Sequence, residues 1–182
     1  SYAGMLMPLT ITIPEGARML YDGKPVEGNN DTMSYRLVLG NPLDSLGSRV
    51  FPGGFEVTDA VDANGDAFTL PNDKPVSPAN PAFFTSAGWF SLEMNLGDAK
   101  VNGFSAPVKV EMPVMPGVKD PVTGDDIKVG SKIPLWNMDN RNGVWRNEIM
   151  ATVEDAGGGQ MKVVFETTHF SIWNIDVSSS MC

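Results

Sequence analysis

The segment D-A-V-D-A-N-G-D, residues 59 to 66, carries side-chain oxygens at alternate positions, on Asp62, Asn64 and Asp66. Calcium-binding loops begin with this spacing, because carboxylate and amide oxygens are the ligands that Ca²⁺ prefers. The segment lacks the later bidentate glutamate of an EF-hand, and Asn64-Gly65 also favours a tight polar hairpin. The sequence predicts a polar turn here and leaves a weak calcium site as the alternative; no other cofactor is expected.

Signatures of catalysis are missing elsewhere. His169 is the only histidine and Cys182 the only cysteine, so a Ser-His-Asp triad or a histidine-based metal site would have to use His169. There is no G-x-S-x-G, phosphate-binding glycine loop or Cys/His metal pair. The cluster of Asp120, Asp125 and Asp126 has no ligand spacing and is expected to be a solvated loop. Two carboxylates could still lie close together in the fold and form a hydrolase site, but no sequence pattern identifies such a pair.

The tryptophans offer two readings. A row of exposed indole rings could stack on sugars, as in carbohydrate-binding modules, whereas a large ring in an apolar strand ordinarily fills a core. Each one lies in an apolar stretch, which favours core packing. They are Trp89, Trp136, Trp145 and Trp173.

Composition limits the partners. The chain has 13 Lys and Arg against 22 Asp and Glu, a net charge of −9, so nucleic acid and anionic membrane surfaces are not expected as partners. No apolar run is long enough for membrane insertion. The lone cysteine excludes an internal disulfide. The acidic balance and low cysteine content favour an exported protein, secreted or at the cell surface.

Alternating apolar residues indicate strands. Examples are Leu9 to Pro14, the stripe Tyr35, Leu37 and Leu39, the stripe Phe90, Leu92 and Met94, and the stripe Val108, Val110 and Met112. Residues 71 to 81 contain four prolines and predict an ordered connector. About ten such strands, with no helical periodicity, predict an all-β antiparallel sandwich.

The last third of the chain predicts a hairpin and the end of the domain. Asn142-Gly143 predicts a tight reversal, with Trp136 and Trp145 flanking one hairpin. The last strand is expected to end at Val177. Residues 1–177 then form a single domain, and residues 178–182 a C-terminal tail or linker.

Several motifs occur in an order that resembles a known family. They are I-T-I-P-E-G-A at 11–17, F-P-G-G-F at 51–55, S-A-G-W-F at 86–90, I-P-L-W-N-M-D-N-R-N-G-V-W at 133–145 and T-H-F-S-I-W-N-I-D at 168–176. The chain resembles bacterial extracellular relatives of the spectrin-binding-type sandwich domain of ankyrins and netrin receptors. This resemblance implies a scaffold embedded in a larger surface protein more than it implies an activity.

The same resemblance raises one reaction. Some relatives cut themselves within an H-F-S tripeptide, which here is His169, Phe170 and Ser171. The Ser171 hydroxyl would attack the Phe170 carbonyl, His169 would carry the proton, and the resulting ester would hydrolyse. The structural interpretation places H-F-S within the last strand, with Phe170 or its neighbours in the core and the His169 ring hydrogen-bonded to nearby backbone.

These observations lead to one main hypothesis and two alternatives. The main one is a non-catalytic structural or adhesive module of a secreted or cell-surface protein or filament, whose partners are other protein modules or copies of itself. The alternatives are a self-cleaving module that cuts between Phe170 and Ser171, and a carbohydrate-binding module with glycan partners. The sequence identifies no binding residues for the main hypothesis.

Overall fold

The computed structural model describes residues 7–27, 32–40, 55–139 and 141–180. Within these ranges the chain forms strands and no helix. The strands in chain order are β1 (Thr10–Thr12), β2 (Met19–Tyr21), β3 (Lys24–Pro25), β4 (Met33–Gly40), β5 (Glu56–Val57), β6 (Ala60–Val61), β7 (Ala82–Leu96), β8 (Ala99–Val101), β9 (Gly103–Val114), β10 (Lys132–Met138), β11 (Trp145–Thr152), β12 (Glu154–Gly157), β13 (Gln160–His169) and β14 (Ile172–Ser180). The all-β prediction is confirmed. The count exceeds ten because two- and three-residue strands are too short to show alternation.

Two sheets pack against each other as a sandwich. The smaller sheet has the order β12-β13-β9-β2-β3, with β1 also paired to β9. The larger has the order β4-β7-β14-β10-β11-β6, with β5 and β8 also paired to β7. The pairs between named strands are antiparallel except β11 with β6, which is parallel and departs from the prediction. A hairpin imposes the antiparallel direction only on strands that are neighbours in the chain, and β6 and β11 are far apart in sequence.

The first core lies between the sheets. The predicted stripe of Val108, Val110 and Met112 on β9 is fully buried there, and the stripe of Phe90, Leu92 and Met94 on β7 faces it. Ile11 on β1 is partly buried against the same core, whereas Ile13 is exposed. The alternation of apolar residues therefore correctly predicted which side of β7 and of β9 faces the core.

A second core lies on the outer face of the larger sheet, and it was not predicted. Its buried members are Val57, Ala60, Leu70, Val76, Ala82, Phe84, Trp89, Trp136, Trp145 and Ile172. The segment from β5 to the start of β7 supplies half of them and covers that face. The larger sheet is consequently apolar on both sides.

The proline-rich segment is ordered, as predicted, and forms part of this cover. The Asn80 side chain donates to the Pro75 carbonyl at 3.0 Å, and Leu70 N–H donates to the Lys74 carbonyl at 3.0 Å. Side-chain and turn bonds replace ladder bonds because proline has no N–H to donate. The adjoining residues 67–70 form only isolated bridges, Val61 with Ala67 and Thr69 with Pro75.

Predictions near the chain's later turns and its end have mixed outcomes. The hairpin of β10 and β11 is confirmed, with Met138 opposite Trp145, and Gly143 has the positive φ of 71° that the reversal needs.

The predicted end of the last strand at Val177 is wrong, because β14 continues through Ser178–Ser180 and pairs with β7 up to Ala82. Small serines fit a strand whose neighbour already carries the large side chains, Phe83 and Phe84. Residues 51–54, Asn140 and Cys182 lie outside the described residues.

Candidate functional site

The tripeptide H-F-S lies at the crossover between the two sheets. His169 ends β13 in the smaller sheet, and β14 in the larger sheet begins at Ile172. The expectation that H-F-S belongs to the last strand is therefore wrong, because Phe170 and Ser171 carry the chain from one sheet to the other. Phe170 is buried edge-on against Phe104, with ring centroids 5.9 Å apart, as its predicted core role requires.

The Ser171 hydroxyl is engaged in two hydrogen bonds. It donates to the Met138 carbonyl at 2.7 Å and accepts from the Asn137 side-chain amide at 2.8 Å. Asn137 also donates to the Ile172 carbonyl at 3.1 Å. These bonds fasten the β10–β11 hairpin to the crossover. A peptide carbonyl is no base, so the Ser171 proton has no acceptor in this arrangement that could activate the hydroxyl as a nucleophile.

The His169 ring pairs with a carboxylate, not with backbone as predicted. Its Nε2 lies 2.7 Å from Glu148 Oε1 on β11, and the ring stacks on Trp173 at a centroid distance of 5.5 Å. The His169 carbonyl accepts from the Thr167 hydroxyl at 3.0 Å. Sequence reasoning missed Glu148 because a charged residue in a strand signals only solvent exposure, and a contact twenty-one residues away leaves no local pattern.

The Ser171 end of the crossover opens into a polar groove of about 1090 Å³. Asp139 and Arg141 border it and form an ion pair at 3.0 Å, and Arg141 also lies 3.7 Å from Asp22. The hydrogen bond from the Arg141 guanidinium holds the pKa of Asp139 below its ordinary value. Asp22 accepts in turn from the Asn102 side chain at 2.8 Å. The polar side chains on this side of the groove thus form hydrogen bonds and ion pairs with one another.

The predicted calcium residues form a turn. Asp62 Oδ1 accepts from the backbone N–H of Asn64 at 2.8 Å and of Asp66 at 3.0 Å, and Gly65 has a φ of 92°. One oxygen of the Asp62 carboxylate therefore caps the loop's own backbone. No group of three or more His, Cys, Asp or Glu that could hold a metal occurs among residues 7–27, 32–40, 55–139 and 141–180. Calcium binding stays a prediction that only titration can test.

The other candidates are also spread through the fold. All four tryptophans are buried, so no stacking platform can form from their rings. Three of them, Trp89, Trp136 and Trp145, belong to the second core. In the second acidic cluster, Asp126 pairs with Lys119 at 2.7 Å and Asp120 caps the backbone of Val122.

One buried polar network was missed. The Ser86 hydroxyl donates to Asn174 Oδ1 at 2.6 Å, and the Asn174 amide donates to Asp176 Oδ2. Asp176 is fully buried, and burial raises its pKa well above the ordinary value although the Asn174 hydrogen bond lowers it. Its Oδ1 has no hydrogen-bond partner within the described part of the chain. The signal was present in I-W-N-I-D, which puts Asn174 and Asp176 on one face of an otherwise apolar strand.

Comparison with family models, with curated proteins and with solved structures found no match to this chain. The class that the fold defines is an all-β sandwich with a second core on one outer face. No helix in the described ranges is long and apolar enough to cross a membrane. The resemblance to ankyrin-type sandwich domains accordingly remains an expectation from the sequence.

Proposed function

We propose that this chain is a non-catalytic structural or adhesive module of a secreted or cell-surface protein or filament. The observation that supports the proposal is the engagement of the crossover, where the side chains of Ser171 and His169 are both held by hydrogen bonds to neighbouring strands. Ser171 fastens the hairpin through Met138, and His169 links β13 to Glu148 on β11. The partners are other protein modules or further copies of this chain.

The covalent state of the crossover tests the non-catalytic part. After denaturation, intact-mass spectrometry should give one full-length chain for wild type and for Ser171→Ala alike. A long fragment ending at Phe170 and a short one beginning at Ser171, both abolished by Ser171→Ala, would replace this proposal with the self-cleaving alternative.

Surface labelling tests the location. In intact cells of the source organism, a membrane-impermeant amine reagent should modify lysines of this chain, while a cytosolic control protein stays unmodified until lysis. Labelling that requires lysis would refute the secreted or cell-surface role.

Glycan binding is the remaining alternative and draws no support from the tryptophans, since their rings are buried. A glycan array probed with the isolated chain should give no specific signal. A reproducible signal that a soluble form of the same sugar displaces would instead favour the carbohydrate-binding reading.

A further inference from the structure

Asparagine is followed by glycine three times in the sequence, at Asn64, Asn102 and Asn142. In such a pair the backbone nitrogen of the glycine can attack the side-chain carbonyl carbon of the asparagine and close a succinimide ring, because glycine has no Cβ to obstruct the closure. How fast the ring closes depends on what holds the carboxamide and the glycine N–H in the fold. The three pairs differ in both respects.

The Asn102 carboxamide is held at both ends by the turn between β2 and β3. Its Oδ1 accepts from the Asp22 N–H at 2.9 Å, and its Nδ2 donates to Asp22 Oδ1 at 2.8 Å. Gly103 is buried in β9, and a Cβ added to it would lie 2.9 Å from the Thr168 carbonyl oxygen. The carboxamide and the glycine backbone therefore cannot turn towards each other without breaking contacts of the smaller sheet.

The Asn142 carboxamide is exposed but fastened within the reversal between β10 and β11. Its Oδ1 accepts from the Val144 N–H at 3.0 Å, and the Gly143 N–H donates to the Asp139 carbonyl at 2.8 Å. The neighbouring guanidinium of Arg141 is paired with the Asp139 carboxylate at 3.0 Å. Water reaches this pair, but ring closure there would cost the hydrogen bond to Val144.

Asn64 lies in the turn of residues 62–66, and its carboxamide is exposed. Other groups close this turn, since Asp62 Oδ1 accepts from the backbone N–H of Asn64 at 2.8 Å and of Asp66 at 3.0 Å. No hydrogen bond holds the Asn64 side chain among the residues that the structure describes. The Gly65 N–H donates to the Asp62 carbonyl at 3.1 Å. The carboxamide can therefore turn towards Gly65 without losing any of these bonds.

Arg146 on β11 places a positive charge beside the same turn. Its Nη1 donates to the Ala63 carbonyl at 3.3 Å and lies 3.8 Å from the position that a Cβ on Gly65 would occupy. Ring closure develops negative charge, first on the glycine nitrogen and then on the side-chain carbonyl oxygen under attack. A guanidinium at this distance stabilises such charge. The Asp62 carboxylate, which would oppose it, is engaged by two backbone N–H groups.

We propose that Asn64 is a site of self-modification, promoted by Arg146, which converts slowly to aspartate and isoaspartate with water as the only co-reactant. The Gly65 nitrogen bonds to Asn64 Cγ and gives up its proton, while the bond from Cγ to Nδ2 breaks and the nitrogen leaves as ammonia. Water then opens the succinimide ring. Opening at Cγ gives aspartate, and opening at the main-chain carbonyl carbon gives isoaspartate. Either product adds a negative charge to the turn.

Peptide mapping of aged protein tests the order of the three sites. The folded protein is incubated at mildly alkaline pH, and samples are digested briefly at mildly acidic pH so that digestion adds no conversion. Mass spectrometry then measures the fraction of each asparagine in which OH has replaced NH2. Asn64 should convert several-fold faster than Asn142, and Asn102 should be slowest. Unchanged Asn64, or conversion of either other site at an equal or higher rate, would overturn the proposal.

The same incubation in urea shows whether the fold sets this order. All three pairs should then convert at similar rates, because unfolding removes the hydrogen bonds that distinguish them. If the order seen in the folded protein persisted in urea, the local sequence would set it and the argument from the turn would be wrong.

Arg146→Gln tests the promoting charge. The variant should slow conversion of Asn64 several-fold, because the side chain keeps a hydrogen-bond donor and loses its charge. Lys119→Gln removes a cation from the exposed loop after β9 and is the control; it should leave the Asn64 rate as in wild type. Circular dichroism must show both variants folded. An unchanged rate in Arg146→Gln would refute the part assigned to Arg146. These rates do not depend on where the chain is located, so they test this proposal separately from the proposed function.

Discussion

The pair of His169 and Glu148 ties the crossover to β11. Glu148 uses one carboxylate oxygen for the His169 ring, and its other oxygen is buried with no hydrogen-bond partner among the described residues. The hydrogen bond to His169 therefore offsets the desolvation cost of the Glu148 carboxylate. The His169 ring in this way links β13 to β11.

Removing either partner should reveal that link. His169→Ala should lower the free energy of unfolding by about 1–3 kcal/mol, because Glu148 then keeps its desolvation cost without its partner. Glu148→Ala should cost less, because it removes the carboxylate together with its desolvation cost, and the double variant should cost clearly less than the sum of the two. Urea unfolding of the four proteins gives the coupling. Strict additivity would show that the pair contributes nothing.

Asp176 should make stability depend on pH. Burial raises the pKa of its carboxyl in the folded state, so the protonated form is favoured there. Stability from this group is then fully present below the ordinary carboxyl pKa, and it is lost as pH rises through the folded-state value. We expect Asp176→Asn to be more stable than wild type at neutral pH, with a difference that shrinks towards acid pH. Unfolding curves across pH 3–8 check this, and Asp120→Asn on the exposed loop is the control. A difference that grows towards acid pH would contradict the buried neutral carboxyl.

The Asp62 turn should bind calcium weakly at most. Since Asp62 Oδ1 already accepts from Asn64 and Asp66, that oxygen is less available to a cation. Calorimetric titration should give a dissociation constant no tighter than about a millimolar, the weak end of extracellular sites. If heat is seen, Asp62→Ala with Asp66→Ala should abolish it, and Asp120→Ala with Asp125→Ala should not. An unchanged titration after the first pair would exclude this loop as the site.

At the scale of elements, the end of β4 meets the second core through a glycine. An added Cβ on Gly40 would lie 1.9 Å from Trp89 Cε2, and Trp89 is buried. Gly40→Ala should therefore displace the indole and cost about 1–3 kcal/mol, the usual range for overpacking. Ser34→Ala, on the same face of the same strand but exposed, should change stability by less than about 0.5 kcal/mol. Thermal unfolding with tryptophan fluorescence measures both. Equal stability of the two variants would mean that Trp89 can move freely.

The sequence correctly predicted strands that bury one face in a core, because such strands alternate apolar and polar residues. Val108, Val110 and Met112 alternate and are buried, and residues 71–81 are ordered as their prolines require. Alternation alone could not say which core a face meets, nor whether anything covers it. The stripe from Tyr35 to Leu39 reads like a buried face and is exposed. The second core depends on contacts between the loop around Leu70 and a distant sheet, and such pairings leave no period in the sequence.

At the scale of the whole molecule, the larger sheet is shared by both cores. On β14, Ile172 faces the second core and Trp173 the first, and on β7, Trp89 and Phe90 divide in the same way. Neither core can lose its packing without loosening strands that form the wall of the other. The sandwich and its outer loop layer should therefore unfold as one cooperative unit.

Val76→Ala tests that cooperativity from the loop layer. Val76 is buried in the second core, and loss of two methyl groups with the cavity they leave should cost about 2 kcal/mol. Under cooperative unfolding the whole transition moves to lower denaturant. Tryptophan fluorescence, dominated by three second-core indoles, and far-ultraviolet circular dichroism, which reports both sheets, should then keep one common midpoint. Val122→Ala, at an exposed loop position, should leave that midpoint within error of wild type. If the fluorescence midpoint of Val76→Ala fell while the dichroism midpoint stayed, the loop layer would be an independently unfolding cover, and the shared sheet would not couple the two cores.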